Sequence, residues 1–346
     1  MPLQKKRILW IDICRLISMV LVVWLHFGAP GVLNNYIHLF HMPIFFMLSG
    51  LCLNTNKKPA MLIYSKFKSL IIPYFSFGVL FYIIWSLIYL VIMPDRITSF
   101  NDFLYILLWN NTAPKPYLWG GVQWFLPCLF FAEMIFYCIF SALKNKYTAL
   151  GCITLLGIVY IYVFRSRPFF LPMGLDVSLI AVFFIALGHC LKERIVIVDR
   201  LTNIHLQLFA ALLFAISLIC HFVNGTTNMR LMEYNNPFLY LIGSTSGCLV
   251  LIILSKLITK NISSWRYFSK LLYLGKNTII LLYIHRLFDG LEKTVLDLLN
   301  IGFESKMIKY LYFGLMTMLF FAISYPLTKF VDKNCSLLLG RWNNRR

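Results

Sequence analysis

The stretch from Leu9 to His26 reads Leu-Trp-Ile-Asp-Ile-Cys-Arg-Leu-Ile-Ser-Met-Val-Leu-Val-Val-Trp-Leu-His. It is an apolar run interrupted by Asp12 and Arg15 and closed by His26. The length suits a helix that crosses a bilayer, which needs about 20 predominantly apolar residues. Ionisable side chains are costly inside such a helix, so they are candidate functional residues. The stretch therefore predicts a transmembrane helix that carries part of a site.

Similar apolar runs recur along the chain, whose 346 residues are 60% hydrophobic and only 13% charged. Soluble domains have about a quarter charged residues, so water cannot be the main solvent. The expected fold class is all-α, a polytopic membrane bundle of about ten transmembrane helices in a single domain over residues 1–346. The predicted spans are Leu9–Ala29, His38–Leu53, Ser69–Met93, Gly121–Leu143, Thr148–Phe164, Gly174–Leu191, His205–Val223, Phe238–Leu257, Leu271–Asp289 and Met307–Phe330.

The excess of positive charge predicts how the bundle is oriented. The net charge is +19, from 32 Lys and Arg against 13 Asp and Glu. With the N-terminus inside, the inner connections hold more than twice as many Lys and Arg as the outer ones. Positive loops stay cytoplasmic, so we expect both termini in the cytoplasm of a bacterial inner membrane. The basicity is then explained by topology and by contact with anionic membrane lipid, and no nucleic-acid partner is expected.

Arg15 and His26 are expected to lie on one face of the first helix. They are eleven positions apart, which leaves about 20° between them and about 16 Å along the axis. The face could hold something long, with an anion at the Arg15 end and chemistry at the His26 end. Asp12 is three residues before Arg15 and can pair with it. The alternative is an interfacial anchor pair at Asp12 and Arg15 and a packed histidine at His26.

Three further histidines are expected near the outer surface with His26. His38 and His41 lie at the start of the second span, which enters from outside, and His285 follows the apolar part of the ninth. A metal site made by His26, His38 and His41 would lack any carboxylate or cysteine at ligand spacing. We therefore expect no metal.

Basic and acidic residues mark the other candidate positions. Lys66 and Lys68 abut the third span and could meet a phosphate as point charges, and Lys276 begins the ninth span from the inside. Glu133 lies in the fourth span, nine residues after Trp124, where a buried carboxylate must be paired or protonated. Asp176 opens the sixth span on the outer side.

The sequence resembles the integral-membrane acyltransferase-3 family, within it the branch of fucose 4-O-acetylase and related acetyltransferases. The order and spacing of several short motifs carry the resemblance. They are Asp12 with Arg15-x10-His26, Phe40-His-Met-Pro-Ile-Phe-Phe-Met-Leu-Ser-Gly50, Lys68-Ser-Leu-Ile-Ile-Pro-Tyr74, Trp124-Phe-Leu-Pro127, Asp176, and Gly275-Lys-Asn-Thr with His285.

The resemblance implies an enzyme that moves an acyl group, usually acetyl from cytoplasmic acetyl-CoA, onto a sugar hydroxyl of a surface glycan or its lipid-linked precursor. It implies that Arg15 and His26 are essential. Many members carry an Arg-x-x-Arg pair before the third helix, where this chain has Lys66 and Lys68. The charge is kept, but the bidentate geometry of arginine is lost.

Together these observations give a mechanistic hypothesis. His26 acts as general base or briefly carries the acetyl group, Arg15 places the donor and Asp12 orients Arg15. Further residues are assigned to binding, with Lys66, Lys68 and Lys276 holding the acetyl-CoA phosphates, and His41, Glu133, Asp176 and His285 lining the acceptor side. The rival hypotheses are a transporter of glycan or lipid-linked sugar, and a succinyl or other acyltransferase on the same fold.

Overall fold

The computed structural model describes residues 8–92, 99–109, 122–164, 170–195 and 202–341. These ranges are mainly helical, and their only β-bridge joins Asn228 and Glu233. The helices are α1 (Leu9–Phe27), α2 (Gly31–His38), α3 (Pro43–Cys52), α4 (Pro59–Lys66), α5 (Ile72–Ile92), α6 (Phe100–Leu108), α7 (Phe125–Leu143), α8 (Lys146–Phe164), α9 (Leu175–Leu191), α10 (Asn203–Asn224), α11 (Pro237–Ile262), α12 (Phe268–Lys276), α13 (Thr278–Leu298) and α14 (Lys306–Asn334). A π-helical turn, Phe67–Ile71, joins α4 to α5, and a 3₁₀ turn, Pro172–Gly174, precedes α9.

Eight helical segments of the described chain are long and apolar enough to cross a membrane. They confirm the expected all-α, multi-pass membrane bundle. The segments are Leu9–Phe27, Pro59–Ile92, Phe125–Leu143, Lys146–Phe164, Pro172–Leu191, Asn203–Asn224, Pro237–Ile262 and Lys306–Asn334.

Two of the ten predicted spans have a different form. In the span His38–Leu53 only the ten residues of α3 continue as one helix, because turns separate α2 from Pro43, which opens α3. The span Leu271–Asp289 is interrupted at Asn277, which ends α12 outside the helical region of backbone angles. The helix that follows, α13, runs to Leu298 and carries charged side chains, so its hydropathy falls below that of a simple apolar span.

The buried helices α1 and α9 form the centre of the bundle. Helix α1 packs against α3, α11, α12, α13 and α14, whereas α9 packs against α3, α7 and α8. The segment Pro172–Leu191 is 72% buried, but Lys146–Phe164 is only 22% buried. The outer helices α8, α10 and α14 turn large apolar side chains outward, as expected for surfaces that face lipid.

Glycines allow close backbone contacts where α3 crosses α9. A Cβ atom on Gly50 would overlap the carbonyl group of Ile185, and one on Gly188 would overlap the carbonyl group of Met47. Small residues at crossing points let membrane helices approach closely. The two glycines act reciprocally, so the position of α3 against α9 is fixed by backbone contact.

Helix α3 runs antiparallel to α1 over the interval between Arg15 and His26. Its preceding turn places His41 with His26 around one pocket, and its last residue, Cys52, accepts a contact from Arg15. Arg15 and His26 are eleven positions apart, and so are His41 and Cys52. Eleven positions correspond to about 16 Å along a helix. We call the two levels the Arg15 end and the His26 end of the bundle.

Both described ends of the chain lie at the Arg15 end. Helix α1 begins there, and Gly275 at the end of α12 packs directly on the Asp12 carbonyl group. Two residues later, Asn277 accepts a hydrogen bond from Arg341 near the other end of the chain. This common location agrees with the expected even number of crossings.

Candidate active site

His26 lies on α1 beside the second half of the ninth predicted span. Its ring centroid is 5.1 Å from that of His285 on α13. Its Nδ1 atom is 3.5 Å from Nη1 of Arg286, and its carbonyl oxygen lies 3.5 Å from Nζ of Lys293. The structure thus brings His26 and His285 together, and it adds two cations from α13.

The cations around His26 are held by one buried carboxylate. Asp289 is fully buried and accepts a hydrogen bond from Nη1 of Arg286, its neighbour at i−3. Its other oxygen is 2.7 Å from Nζ of Lys293, at i+4. Helical spacing places all three on one face of α13. Because a buried charge must be paired, Asp289 fixes where Arg286 lies relative to His26.

A pocket of about 120 Å³ opens at the His26 ring. It lies where α1, the α2–α3 turn, the start of α7, α13 and the loop between α10 and α11 meet. Its lining comprises Val22, His26, His38, His41, Met42, Val122, Trp124, Asn228, Met229, Arg230 and Leu282. The predicted residue His41 thus shares a cavity with His26, whereas His285 contacts the His26 ring from beside it.

Arg230 adds a further positive charge to this pocket. Burial lowers the pKa of its guanidinium group to about 10, with a smaller contribution from the like charge of Arg286. Such a group is still protonated at neutral pH. The pocket therefore combines imidazole rings with fixed cations, an environment that stabilises negative charge when it develops.

Backbone carbonyl groups set the tautomers of three histidines in this region. The Nδ1 atoms of His38, His41 and His285 lie 2.8, 3.0 and 3.1 Å from the carbonyl oxygens four residues earlier. A carbonyl only accepts, so each Nδ1 carries the hydrogen and each Nε2 has the lone pair. His26 differs, because arginine only donates and its contact from Arg286 favours a lone pair on Nδ1.

At the Arg15 end, the predicted pair of Asp12 and Arg15 is present but loosely held. Nη1 of Arg15 is 3.5 Å from Oδ1 of Asp12, and Nη2 is 3.5 Å from Sγ of Cys52. The Arg15 side chain is 29% exposed, whereas that of Asp12 is 4% exposed. Arg15 can therefore still reach an anion that arrives from outside the bundle.

Glu133 lies at the Arg15 end as well. Its Oε1 is 2.5 Å from Nζ of Lys66 and accepts a hydrogen bond from the Ser49 hydroxyl. This pairing corrects two expectations. Glu133 is not beside His41 and His285, because Ser49 holds it near the inner end of α3. Lys66 is paired with a buried carboxylate, which leaves it less available for the phosphate contact that was expected of it.

Lys68 belongs to a second cavity at this end, of about 340 Å³. Lys68 lies within the π-helical turn Phe67–Ile71, which precedes Pro73, a residue that cannot donate an amide hydrogen bond. Across the cavity lies Arg341, which pairs with Asp332 and lies 3.3 Å from Oδ1 of Asn277. Gly340, at φ +66°, packs directly on the carbonyl group of Lys68. The chain's C-terminal segment thus brings a guanidinium group to the predicted phosphate region.

The remaining two predicted residues occupy separate positions. Lys276 is exposed at the end of α12, next to the glycine that packs on Asp12. Asp176 is fully buried and accepts hydrogen bonds from the amides of Leu171 and Val177, at 3.0 and 2.7 Å. Asp176 therefore organises the start of α9, and it is not among the residues that line the His26 pocket.

The α1 face between the two ends is packed in this conformation. Met19 and Val22 lie between Arg15 and His26 and are 1% and 3% exposed. Ser18 is also buried and donates to the Cys14 carbonyl group. A long ligand can follow this face only after the neighbouring helices separate.

The most prominent site residue without a sequence-based prediction is Arg286. The sequence does contain a pattern that could have identified it. Arg286 and Asp289 are three positions apart within a predicted span, which is the spacing of Asp12 and Arg15 with the order of the charges reversed. Arg230 and Arg341 carry no comparable signal, because both lie outside the predicted spans. Within the described ranges there is no group of three or more His, Cys, Asp or Glu side chains that could hold a metal ion.

A comparison with protein-family models places this geometry in context. The model described as "Acyltransferase domain", that of the acyltransferase-3 family, matches residues 8–333. The chain belongs to this family. It is therefore a multi-pass membrane acyltransferase, and the match covers both ends of the bundle. Searches of curated proteins and of solved structures gave no match.

Proposed function

We propose that this acyltransferase is an O-acetyltransferase of the fucose 4-O-acetylase-like branch. It moves acetyl from acetyl-CoA to a sugar hydroxyl of a cell-surface polysaccharide or its lipid-linked precursor, in a bacterial inner membrane with both termini cytoplasmic. The observation that carries the proposal is the contact of His26 with Arg286. A basic nitrogen and a cationic donor lie 3.5 Å apart, and the histidine that bears the nitrogen lines a pocket. Acyl transfer needs both groups at the reacting carbonyl.

The donor's anionic head is assigned to the Arg15 end. Lys68 and Arg341 line a cavity of about 340 Å³, within the usual range of about 300–1,000 Å³ for small-molecule sites. Arg15 lies at the same end of the bundle, and its side chain is 29% exposed. Lys276 is exposed at the same end and adds positive charge. These cations favour phosphate groups, with Arg341 able to offer the planar geometry that the two lysines lack.

The chemical step is assigned to the His26 end. The acceptor hydroxyl replaces Arg286 at Nδ1 of His26 and gives its proton to that nitrogen as its oxygen bonds to the thioester carbonyl carbon. Arg286 then faces the carbonyl oxygen and stabilises its negative charge. The carbon–sulfur bond breaks, and the CoA thiolate takes the proton from His26. In the alternative sequence, His26 first accepts the acetyl group and then passes it to the hydroxyl.

Other residues at this end hold the reacting groups in position. Asp289 keeps Arg286 charged and directed toward His26. The His285 ring packs against the His26 ring, and the bond from its Nδ1 to Leu281 fixes its own tautomer. His41 and Arg230 line the pocket where the acceptor hydroxyl enters.

The test is transfer of labelled acetyl by the purified protein in lipid nanodiscs. Polysaccharide from a strain lacking the gene is incubated with acetyl-CoA labelled in the acetyl group. We expect mass spectrometry to find label esterified to the polysaccharide. Retention of all label in acetyl-CoA would contradict the proposal. Accumulation of polysaccharide precursor in the deletion strain, with no loss of acetyl groups from the polysaccharide, would support a transporter. Label that reaches the polysaccharide from succinyl-CoA but not from acetyl-CoA would support a different acyl group.

A further inference from the structure

The pocket at His26 is too small to recognise a sugar by itself. Its volume is about 120 Å³, well below the range of about 300–1,000 Å³ that is usual for small-molecule sites. A water molecule takes about 30 Å³ of liquid volume, so the pocket holds a hydroxyl group and an acetyl group and little more. On the proposed function, most of the acceptor must therefore bind outside it.

A larger cavity, of about 350 Å³, adjoins this pocket. It lies between the end of α8 and the loop that joins α10 to α11. Four aromatic residues contribute to its wall: Tyr160 and Phe164 on α8, Phe170 before α9, and Tyr234 on the loop. The rings of Tyr160 and Phe164 are 4.9 Å apart. The carboxylate-bearing residue Glu233 lines the same cavity and is exposed.

One loop separates the two cavities. Arg230 lines the pocket at His26, and the next residue, Leu231, lines the aromatic cavity. Consecutive Cα atoms are about 3.8 Å apart, so neighbouring residues of one loop contribute to the linings of both cavities. A ligand held in the aromatic cavity is therefore next to the entrance of the reactive pocket.

Hydrogen bonds hold this loop in one conformation. The amides and carbonyls of Asn228 and Glu233 pair in both directions, at 2.8 and 3.0 Å. The Asn224 side chain bonds the Tyr234 carbonyl at 3.0 Å and the Asn236 amide at 2.8 Å. Asn235 closes the turn by donating to the carbonyl groups of Asn224 and Thr226. Since these bonds fix the backbone, both cavity walls exist before a ligand arrives.

We propose that the aromatic cavity is an acceptor subsite that holds a sugar ring next to the one being acetylated. The proposal rests on the proposed function. A pyranose has an apolar C–H face, which packs on aromatic rings, and hydroxyls around its edge, which bond carboxylates and phenols. Phe164 and Tyr160 supply the rings, and Glu233 supplies the carboxylate. The Tyr160 hydroxyl lies 3.4 Å from Sδ of Met232, a weak acceptor, so a sugar hydroxyl can replace that contact.

This arrangement makes chain length a determinant of the reaction. A single sugar reaches only the small pocket, whereas a fragment of two or more sugars also fills the aromatic cavity. Its second ring holds the first in register with His26. Longer fragments should therefore show a lower KM at similar kcat, because the added interaction is distant from the reacting atoms.

The experiment uses the purified full chain in nanodiscs and size-fractionated fragments of the deletion strain's polysaccharide. Transfer from acetyl-CoA and fragment binding by saturation-transfer NMR are measured for the wild type and for Phe164→Ala and Glu233→Gln. Phe222→Ala, which removes a 71% exposed phenylalanine from α10, is the matched control. We expect the first two variants to raise KM for long fragments about tenfold and to leave single-sugar transfer and kcat unchanged. The saturation-transfer signal of the second sugar ring should disappear in both.

The outcomes separate the two proposals. Equal effects on short and long fragments, or a second-ring NMR signal that persists in both variants, would overturn the subsite. A third outcome separates binding from catalysis. If the wild type transfers no acetyl group, but its second-ring NMR signal is present and is lost in the variants, the proposed function is overturned. The cavity would then still be a sugar-binding site. If a variant is not expressed, Tyr160→Phe takes its place, because it keeps the ring and removes the hydroxyl that contacts Met232. It should raise the KM for long fragments above the wild-type value and leave single-sugar transfer unchanged, and a wild-type KM for long fragments would count against the subsite.

Discussion

Each end of the interval spanned by α1 carries an acid–arginine pair at i, i+3, in opposite order. At one end Asp12 precedes Arg15, the two are 3.5 Å apart and the arginine side chain is 29% exposed. At the other, Arg286 precedes Asp289 in direct contact, with side-chain exposures of 9% and 0%. The first arginine is held loosely by its carboxylate, whereas the second is locked by a carboxylate that Lys293 also contacts.

The difference shows how the same residue types serve two purposes. The Arg15 side chain is partly exposed and its contact with Asp12 is long, so Arg15 can exchange Asp12 for an anionic ligand at lower cost. A buried pair is expensive to disrupt, so Arg286 keeps its position beside His26 during the reaction. A loose pair suits binding and release, and a fixed pair suits catalysis, where preorganised charge contributes most.

The largest expected effect is at His26. His26→Gln keeps the size and polarity of the side chain but removes the basic nitrogen, so we expect kcat for acetyl transfer to fall about 10²–10⁴-fold. The assay is label transfer by purified protein at equal amounts. His205→Gln, at an exposed position, is the control and should keep full activity. Equal activity of the two variants would remove His26 from the mechanism.

The two ion pairs should differ in stability when the arginine is removed. Arg286→Met leaves Asp289 buried without its main partner and should lower the free energy of unfolding by about 3–5 kcal/mol. Arg15→Met should lower it by less, because the Arg15 side chain is partly exposed and its contact with Asp12 is long, at 3.5 Å. Denaturant titration in mixed micelles measures both. Combining Arg286→Met with Asp289→Leu should restore stability but not activity, and equal costs for the two single variants would refute the contrast.

The α3–α9 crossing connects the two ends and should tolerate no added side chain. Gly50→Ala places a Cβ atom on the Ile185 carbonyl group and should destabilise the protein by about 1–3 kcal/mol. Gly151→Ala on α8 meets nothing within 4 Å and should change stability by less than about 1 kcal/mol. Thermal unfolding in detergent compares them. Similar melting temperatures would mean that the crossing is loose.

The smallest expected effect is at the donor cavity. Lys68→Gln and Arg341→Gln each remove one of several cations, so KM for acetyl-CoA should rise about tenfold, or about 1.4 kcal/mol, while kcat changes little. Lys329→Gln removes the same charge from an exposed site on α14 and serves as the control. A fall in kcat without a change in KM would assign these residues to another role.

Local sequence features were sufficient to predict the main spans and the first helix. The apolar run of α1 and its interrupting residues predicted a transmembrane helix with Arg15 and His26 about three turns apart on one face. The ninth span was predicted as continuous because the apolar pattern runs through Asn277, whose backbone departs from the helix only in the folded chain. The length of α3 could not be predicted, since the turn before Pro43 lies within an apolar stretch.

Pairings across long separations could not be read from the sequence. Lys66 and Glu133 are 67 positions apart, and the ion pair between them determines whether either side chain is available to a ligand. His26 and Arg286 are 260 positions apart. For Glu133, depth along the helix was predicted from position alone, and the contact with Ser49 assigns it to the Arg15 end instead. The path of the folded chain decides which distant residues meet. Residue type and spacing therefore identify candidate site residues but do not show which of them lie together.

The distance between the Arg15 end and the His26 end determines how the reaction responds to the membrane potential. It spans about 16 Å, roughly half of the about 30 Å hydrocarbon core, so water-filled entrances must account for the rest. On the proposed mechanism the CoA phosphates stay at the Arg15 end, and only the neutral acetyl group passes to the other side. Moving a unit charge through 100 mV involves about 2.3 kcal/mol, and a neutral group avoids that work. Acetyl transfer should therefore proceed at the same rate in energised and de-energised membranes.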